Sequence, residues 1–453
     1  MSPEVADART VVETARKTVV IVAPHFPPSN LAGVHRPRLL ARHLRAFGFE
    51  PIVVSIEPRF YEEPLDPELL HLLPDSVRVV RTRALPTRPL RIVGDISLRA
   101  FWHLYRSISR LAQRGRVDLL LVTIPPNYAS LLGPLIKRRF GIPYVIDYQD
   151  PWVYPMTEAE QGSPKARATH WLARRLEPLA LRHVDGLTSV APAYLDGVFA
   201  RHPRLRALPW VTMPIGGEPA DHEFVERTQR RSAVLSLPGL QGKRVVVYAG
   251  AVLPRARQTV ETLFRACALL RSRRPELADA ARFVFVGTGA RASDPSSGQV
   301  LPIAARNGVA DLVVEVANRQ PYLEVLAVLH RAHGIMILGS SEPHYTPSKV
   351  FQALHARRPI LAILHQASTA VDLLRGIAGV ELVAFSEDHP VTDCVHEITK
   401  ALARMLEGET GEPLERSAEM LDRYSARAVT AQLAACLDAV LAARHGYQDH
   451  RQA

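Results

Sequence analysis

The sequence predicts an α/β protein of two doubly wound domains. Three observations carry this expectation. Two β-branched runs, Thr18–Pro24 and Arg244–Gly250, each open a strand–loop–helix–strand unit. A run without polar alternation is a strand buried on both faces of a parallel sheet. The chain has 453 residues, more than one ordinary core holds. Between the halves, residues 218–242 are polar, with Pro219, Pro238 and two glycines, the composition of a linker. The expected division is a flexible segment 1–17, a first domain 18–217, the linker 218–242, a second domain 243–410 and a closing helical segment 411–453.

The first unit runs from strand Thr18–Pro24 through a long loop containing Gly33 to an amphipathic helix. Leu39, Leu40, Leu44 and Phe47 recur at helical spacing, and Gly48 closes the helix. A strand at Phe49–Ile56 and another at Val77–Thr82 follow. Arg81, Arg83, Arg88, Arg91 and Arg99 then precede a helix with Phe101, Trp102, Leu104, Tyr105, Ile108 and Leu111. This basic, aromatic stretch fits an element resting on a membrane surface, and equally a helix docked on the sheet with its arginines solvated.

Strand Asp118–Thr123 precedes strand Tyr144–Tyr148, which ends in Gln149, Asp150, Pro151 and Trp152. Asp147 and Asp150 therefore stand at the carboxyl end of a parallel strand, where α/β enzymes hold substrate. Three residues apart across a turn, they need not face the same way, and one can serve only to brace the loop. A helix over Ala166–His183, a strand over Asp185–Val190 and a helix over Tyr194–Ala200 follow, and Val211–Gly217 closes the domain.

The second domain opens with Arg244–Gly250, a loop carrying Arg255 and Arg257, and a helix over Thr259–Arg271. Phe283–Gly289 is a strand ending in a glycine turn at Gly287. Strand Leu312–Val316, helix Arg319–Ala332 and strand Gly334–Gly339 lead to a loop with Glu342, followed by Pro347, Ser348 and a helix Lys349–Arg357. Proline and serine suit a helix start, because the first turn leaves its amides unpaired. Lys349 in that turn opposes the helix dipole unless an anion compensates it. An ordinary strand–loop–helix unit without ligand reads the same way. Strands at Pro359–Leu364 and Val380–Phe385 and helices at Thr392–Leu406 and Ala418–Ala443 complete the chain.

Composition excludes several classes. Apolar residues make up 47% and charged residues 22%, the balance of a globular chain rather than a disordered one. No apolar run approaches the roughly 20 residues of a membrane span, and no signal-peptide core opens the sequence, so a cytoplasmic protein is expected. Cys267, Cys394 and Cys436 are dispersed without a Cys/His cluster, so they are expected to be buried small hydrophobes, and no metal site is expected. The net charge of +11 suits a phosphorylated ligand or an anionic membrane surface. Arginine-rich composition is the alternative. No zinc finger, recognition helix or aromatic RNA-binding signature accompanies the charge, so nucleic acid is not expected as a partner.

Pro347, Ser348, Lys349, the helix after them and Arg358-Pro359 before a strand resemble the donor-binding element of GT-B glycosyltransferases of the family-four, retaining type. The Pro-Pro loop with Gly33, the Asp147–Trp152 turn, the turn at Met213–Gly217 and the glycine-ended strand at Gly250 occur in the same order as in that family. The resemblance implies two Rossmann-like domains facing each other across a crevice, with the last helix crossing back to the first. It implies transfer of a sugar from a nucleotide-diphosphate sugar, the co-substrate, to a glycan or lipid-linked acceptor, with retention and without metal or other cofactor. Gly33 would face the donor pyrophosphate, and Gly250, Arg255, Arg257, Gly287, Glu342, Ser348 and Lys349 would line the donor site. The family's two glutamates fall on His344 and Gln352, so Gln352 would meet the ribose. Its acceptor-side histidine falls on Gln149, which leaves Asp150 to face the acceptor and Asp147 a bracing place. A sugar-nucleotide epimerase and a catalytically silent scaffold share the fold. The expected setting is bacterial polysaccharide synthesis in the cytoplasm, with peripheral contact to the inner membrane.

Overall fold

The computed structural model describes residues 16–87, 91, 93–115, 117–156, 161–252, 254–289, 298–341, 347, 349–408, 415–416 and 418–452. Glu342, His344, Ser348, Arg88 and most of the expected flexible N-terminal segment lie outside the described residues.

Seven strands form the first sheet: β1 (Lys17–Val22), β2 (Phe49–Ile56), β3 (Arg78–Thr82), β4 (Leu119–Ile124), β5 (Tyr144–Tyr148), β6 (Gly186–Ser189) and β7 (Trp210–Thr212). Their order is β3-β2-β1-β4-β5-β6-β7, and every pair is parallel. The second sheet holds β8 (Arg244–Ala249), β9 (Ala281–Val286), β10 (Val313–Val316), β11 (Gly334–Leu338), β12 (Ile360–His365) and β13 (Val380–Phe385). Its order is β10-β9-β8-β11-β12-β13, again all parallel. In each sheet the order reverses beside the first strand, between β1 and β4 and between β8 and β11. Such switch points leave a crevice beyond the carboxyl ends of the strands, the place where open α/β sheets bind ligands.

Both faces of both sheets are covered, as the continuous apolar strands require. On the first sheet, Ala100, Leu104, Ile108 and Leu111 of helix Ile96–Gln113 pack against β1, β2 and β4. The opposite face meets Leu40, Ala41 and the closing helix Ala426–Gln452, through Val429, Leu433, Leu437 and Val440. By length and composition, Ala426–Arg444 is apolar enough to cross a bilayer. Its apolar stripe is instead spent on the first sheet.

Two boundaries depart from the sequence expectation. The last helical stretch is two helices, Ala418–Arg423 and Ala426–Gln452. Between them Tyr424 accepts from the Gly217 amide at 2.9 Å, and the Ala426 amide donates to Gly217 at 2.6 Å. Ser425 Oγ then caps the second helix by accepting from the Ala428 amide at 3.1 Å. The expected helix from Arg319 starts only at Tyr322. Pro321 takes the cap position, and Arg319 and Gln320 are left in a loop.

The domains are joined by more than the linker. Val34, Leu69 and Leu72 of the first domain are buried in one cluster with Leu323, Leu326 and Phe351 of the second. The Tyr322 amide donates to Asp66 at 2.8 Å, and Tyr322 Oη and Arg38 both bond Asp221 in the linker helix Pro219–Arg227.

Candidate active site

The carboxyl ends of β1, β4, β5 and β6 enclose a cavity of about 890 Å³. Gly33, Gln149 and Asp150 line it with His25 and Glu63, and Arg319 reaches in from the second domain. Gln149 is buried and its Nε2 donates to the Gly33 carbonyl at 3.1 Å, so the family's histidine position here fastens the loop after β1. Asp150 opens onto the cavity with no cation paired to it among the described residues, and desolvation by the surrounding walls pushes the carboxyl pKa up to about 6.

Asp147 does not join this lining. The Arg36 guanidinium takes both its oxygens, Nε to Oδ2 and a terminal nitrogen to Oδ1 at 2.7 Å each, and Thr188 donates to Oδ1 at 2.6 Å. Arg36, on helix His35–His43, also donates to the carbonyls of Met213 and Pro214, so the pair ties that helix to β5 and to the turn before the linker. Both groups are buried and satisfied, so this carboxylate holds structure rather than substrate.

On the second domain, Gly250 and Lys349 come together. Gly250 ends β8 at φ +136°, and a Cβ there would lie 2.5 Å from Lys349 Nζ. The ammonium also sits 4.0 Å from the ring centre of Tyr248, a cation–π contact. The Ser341 amide donates to the Arg255 carbonyl at 3.2 Å, which draws the loop after β8 to the loop after β11. Gly287 turns at φ +73° beside Arg319, whose Cα would lie 4.0 Å from a Cβ at position 287. Arg319 thus stands between the donor-side glycine turn and the first-domain cavity.

Two donor candidates carry other contacts than those expected. Arg257 donates to Gln299 at 3.2 Å and lines a separate hollow of about 510 Å³ with Glu261 and Arg306. Gln352 Oε1 lies 2.9 Å from His222 Nε2, and His222 Nδ1 lies 2.8 Å from His330 Nε2. Burial holds the His222 pKa well below its ordinary value, helped by His330 and His355, so the ring is neutral. The carbonyl that would accept from a ribose is therefore taken up inside the domain.

The cysteines are buried as expected. Cys394 nevertheless meets His389 at 3.4 Å, with Glu397 3.4 Å from the same nitrogen, a grouping invisible in their spacing. None of the three lines the cavity. Sequence reasoning also passed over Arg36, Glu63 and Arg319. A buried arginine has no pattern that marks it, and Glu63 and Arg319 come from loops.

Residues 32–216 match the glycosyl transferase 4-like domain. The first domain is thus similar to that family's domain. Most of the cavity lining falls within the match. The chain also shares its whole architecture with solved structures. The trehalose 6-phosphate synthase of Burkholderia multivorans superposes with a TM-score of 0.61 at 15% identity, covering 96% of this chain and 98% of that one. Sucrose-phosphate synthase of Thermosynechococcus elongatus gives 0.54 at 14%, covering 96% and 99%. HepE of Anabaena, solved in complex with UDP, gives 0.53 at 14%, covering 93% and 99%. At such identities the likeness is one of fold. No curated protein matches the sequence. The chain is thus a glycosyltransferase of the GT-B fold, with its family domain first and a second parallel α/β domain facing it.

Proposed function

We propose that this GT-B chain transfers a sugar from a nucleotide-diphosphate sugar, held by the second domain, to a hydroxyl of a glycan or lipid-linked acceptor in the first-domain cavity. The observation that carries the reading is the pairing of Lys349 with Gly250 at the switch point of the second sheet, opposite a cavity lined by the family domain. Lys349, aided by Arg255, would hold the donor diphosphate and stabilise it as it leaves. One such preorganised contact is worth about 3–4 kcal/mol in the transition state. Gly33 and Gly287 would let backbone approach the donor closely. The UDP in HepE makes uridine diphosphate sugars the first donors to try. Asp150 would accept from acceptor hydroxyls.

Retention, independence of metal and a place in polysaccharide synthesis belong to this proposal through the family-four resemblance. So does peripheral contact with an anionic membrane, although its residues shift. Arg81 is turned inward to Pro27 and Ile56, Arg99 is buried against Leu85 and Phe60, and Arg91 pairs with Glu62. Exposed Leu98 and Trp102 with Arg106 on helix Ile96–Gln113 would make the contact instead.

Radiolabelled UDP-glucose and other sugar nucleotides, incubated with the protein and a membrane lipid extract, test the proposal. Transfer to lipid or glycan that survives a chelator, with the donor's anomeric configuration in the product, supports it. An isomerised free donor would favour the epimerase. No turnover of any sugar nucleotide would leave a scaffold.

A further inference from the structure

The grouping of His389, Cys394 and Glu397 stands outside the cavity, where β13 passes through the short helical turn Val391–Cys394 into helix Val395–Glu407. His389 is held by a tight turn. The Ser386 amide donates to its carbonyl at 2.9 Å, and its own amide donates to Ser386 Oγ at 3.1 Å. Cys394 is anchored in the core of the second domain with Ile398 and Leu402, and Glu397 follows in the first turn of the helix. His389 Nε2 lies 3.4 Å from Cys394 Sγ and 3.4 Å from Glu397 Oε1. All three atoms lie within 4.8 Å of one another.

Those separations match the edges of a metal's coordination shell. Zinc holds sulfur at about 2.3 Å and nitrogen or oxygen at about 2.0–2.2 Å, so at tetrahedral angles its ligand atoms stand roughly 3.3–3.6 Å apart. Two of the three edges already have that length, and rotation of Glu397, whose side chain is 56% exposed, closes the third. The local charge also suits a cation. Residues 386–397 carry Glu387, Asp388, Asp393 and Glu397 and neither lysine nor arginine, in a chain whose net charge is +11. A thiolate with an imidazole selects a borderline-soft ion over magnesium or calcium, which take oxygen shells. We propose that His389, Cys394 and Glu397 bind one zinc ion, with water in the fourth position, and that the ion fastens the loop after β13 to the helix that follows. The zinc–sulfur bond forms as the Cys394 thiol gives its proton to solvent. His389 binds through the lone pair of Nε2 with its proton on Nδ1, and Glu397 gives a carboxylate oxygen. None of the three lines the cavity, so the site is independent of the transferase reading.

The test uses the untagged full chain, stripped with a chelator and kept reduced. It is titrated with zinc against a chromophoric chelator, and with cobalt(II) as a spectroscopic stand-in. One zinc per chain should bind in the presence of excess magnesium and raise Tm. Cobalt should give the visible bands of a four-coordinate ion and the near-ultraviolet charge-transfer band of a cobalt–thiolate bond. His389→Ala and Glu397→Ala, both at exposed positions, should keep the Tm of the metal-free chain, weaken zinc by roughly tenfold or more and diminish the zinc-dependent rise in Tm. Cys394→Ala should abolish the thiolate band. His396→Ala, at an exposed position beside the site, should change nothing. Should Cys394→Ala fail to fold, the His389 and Glu397 variants decide. Zinc bound at less than one per chain, binding unchanged in His389→Ala and Glu397→Ala, an equal loss in His396→Ala, or a cobalt complex of the unaltered chain without the thiolate band overturns the site. The transferase reading stands under each of these results.

Discussion

The Arg36 guanidinium takes both oxygens of Asp147, at 2.7 Å each, where neither side chain is more than 1% exposed. The pair is a brace. It locks the helix His35–His43, which follows Gly33, to β5, whose end leads into Asp150, by a bond that lies outside the cavity lining.

Asp147→Asn should therefore act on stability first. The amide keeps the volume but leaves the buried guanidinium without its counter-charge, and breaking such a pair costs about 3–5 kcal/mol. Urea unfolding should show that loss. Asp147→Leu combined with Arg36→Met should recover much of it, since no charge is then stranded. Single variants as stable as the unaltered chain would refute the bracing role.

Gly250→Ala should damage nucleotide binding through Lys349. An alanine there adopts a strained φ and pushes a methyl group against the ammonium. UDP affinity should fall roughly tenfold or more, as for Lys349→Ala, the scale of a lost charge-assisted bond of about 1.5–3 kcal/mol. Because both changes remove one contact, the double variant should be little worse than either. Full additivity in titration calorimetry would mean that Gly250 acts elsewhere.

Asp150 gives a pH signature. Its folded pKa is raised from 3.8 to about 6 by burial, so the folded chain holds the proton more tightly than the unfolded one. Below both values the group is neutral in both states and contributes nothing. As pH rises through that window the unfolded state ionises first, and the folded state is relatively destabilised. Asp150→Asn should then match the unaltered Tm at pH 3.5 and exceed it at pH 8. An equal difference at both pH values would assign the effect to packing.

The sheets were legible because their strands are apolar runs without alternation, and the order of glycine-ended strands exposed the architecture. The site was legible only where a local signal coincided with the switch points: Gly250 with Lys349, and Asp150 at the end of β5. The contact of Gln352 was not legible, because its helix face turns to His222, a residue of the linker helix 130 positions earlier in the chain. Arg319 was hidden by apolar periodicity that continues into its helix, although Pro321 marked the true start. His25 and Glu63 lie 38 positions apart, and nothing in their spacing brings them together.

The exposed face of helix Ile96–Gln113 decides the membrane proposal. Trp102 is 64% and Leu98 38% exposed, one turn apart, with Arg106 one turn further and Leu85 nearby at 60%. The opposite stripe is spent on the sheet, and within the described chain Trp102 meets only the edges of Phe101 and Tyr105. Burying a large apolar side chain in an interface is worth about 1.5–3 kcal/mol, and a basic residue near anionic lipid about 1 kcal/mol more. Trp102→Ser with Leu98→Ser should weaken binding to vesicles containing phosphatidylglycerol by roughly ten- to a hundredfold while leaving Tm unchanged. Leu301→Ser, on the second domain, should change nothing. Added salt should weaken the unaltered chain by the arginine share alone. Equal binding by the Trp102 variant would move the contact off this helix, and no binding by the unaltered chain at low salt would end the membrane proposal.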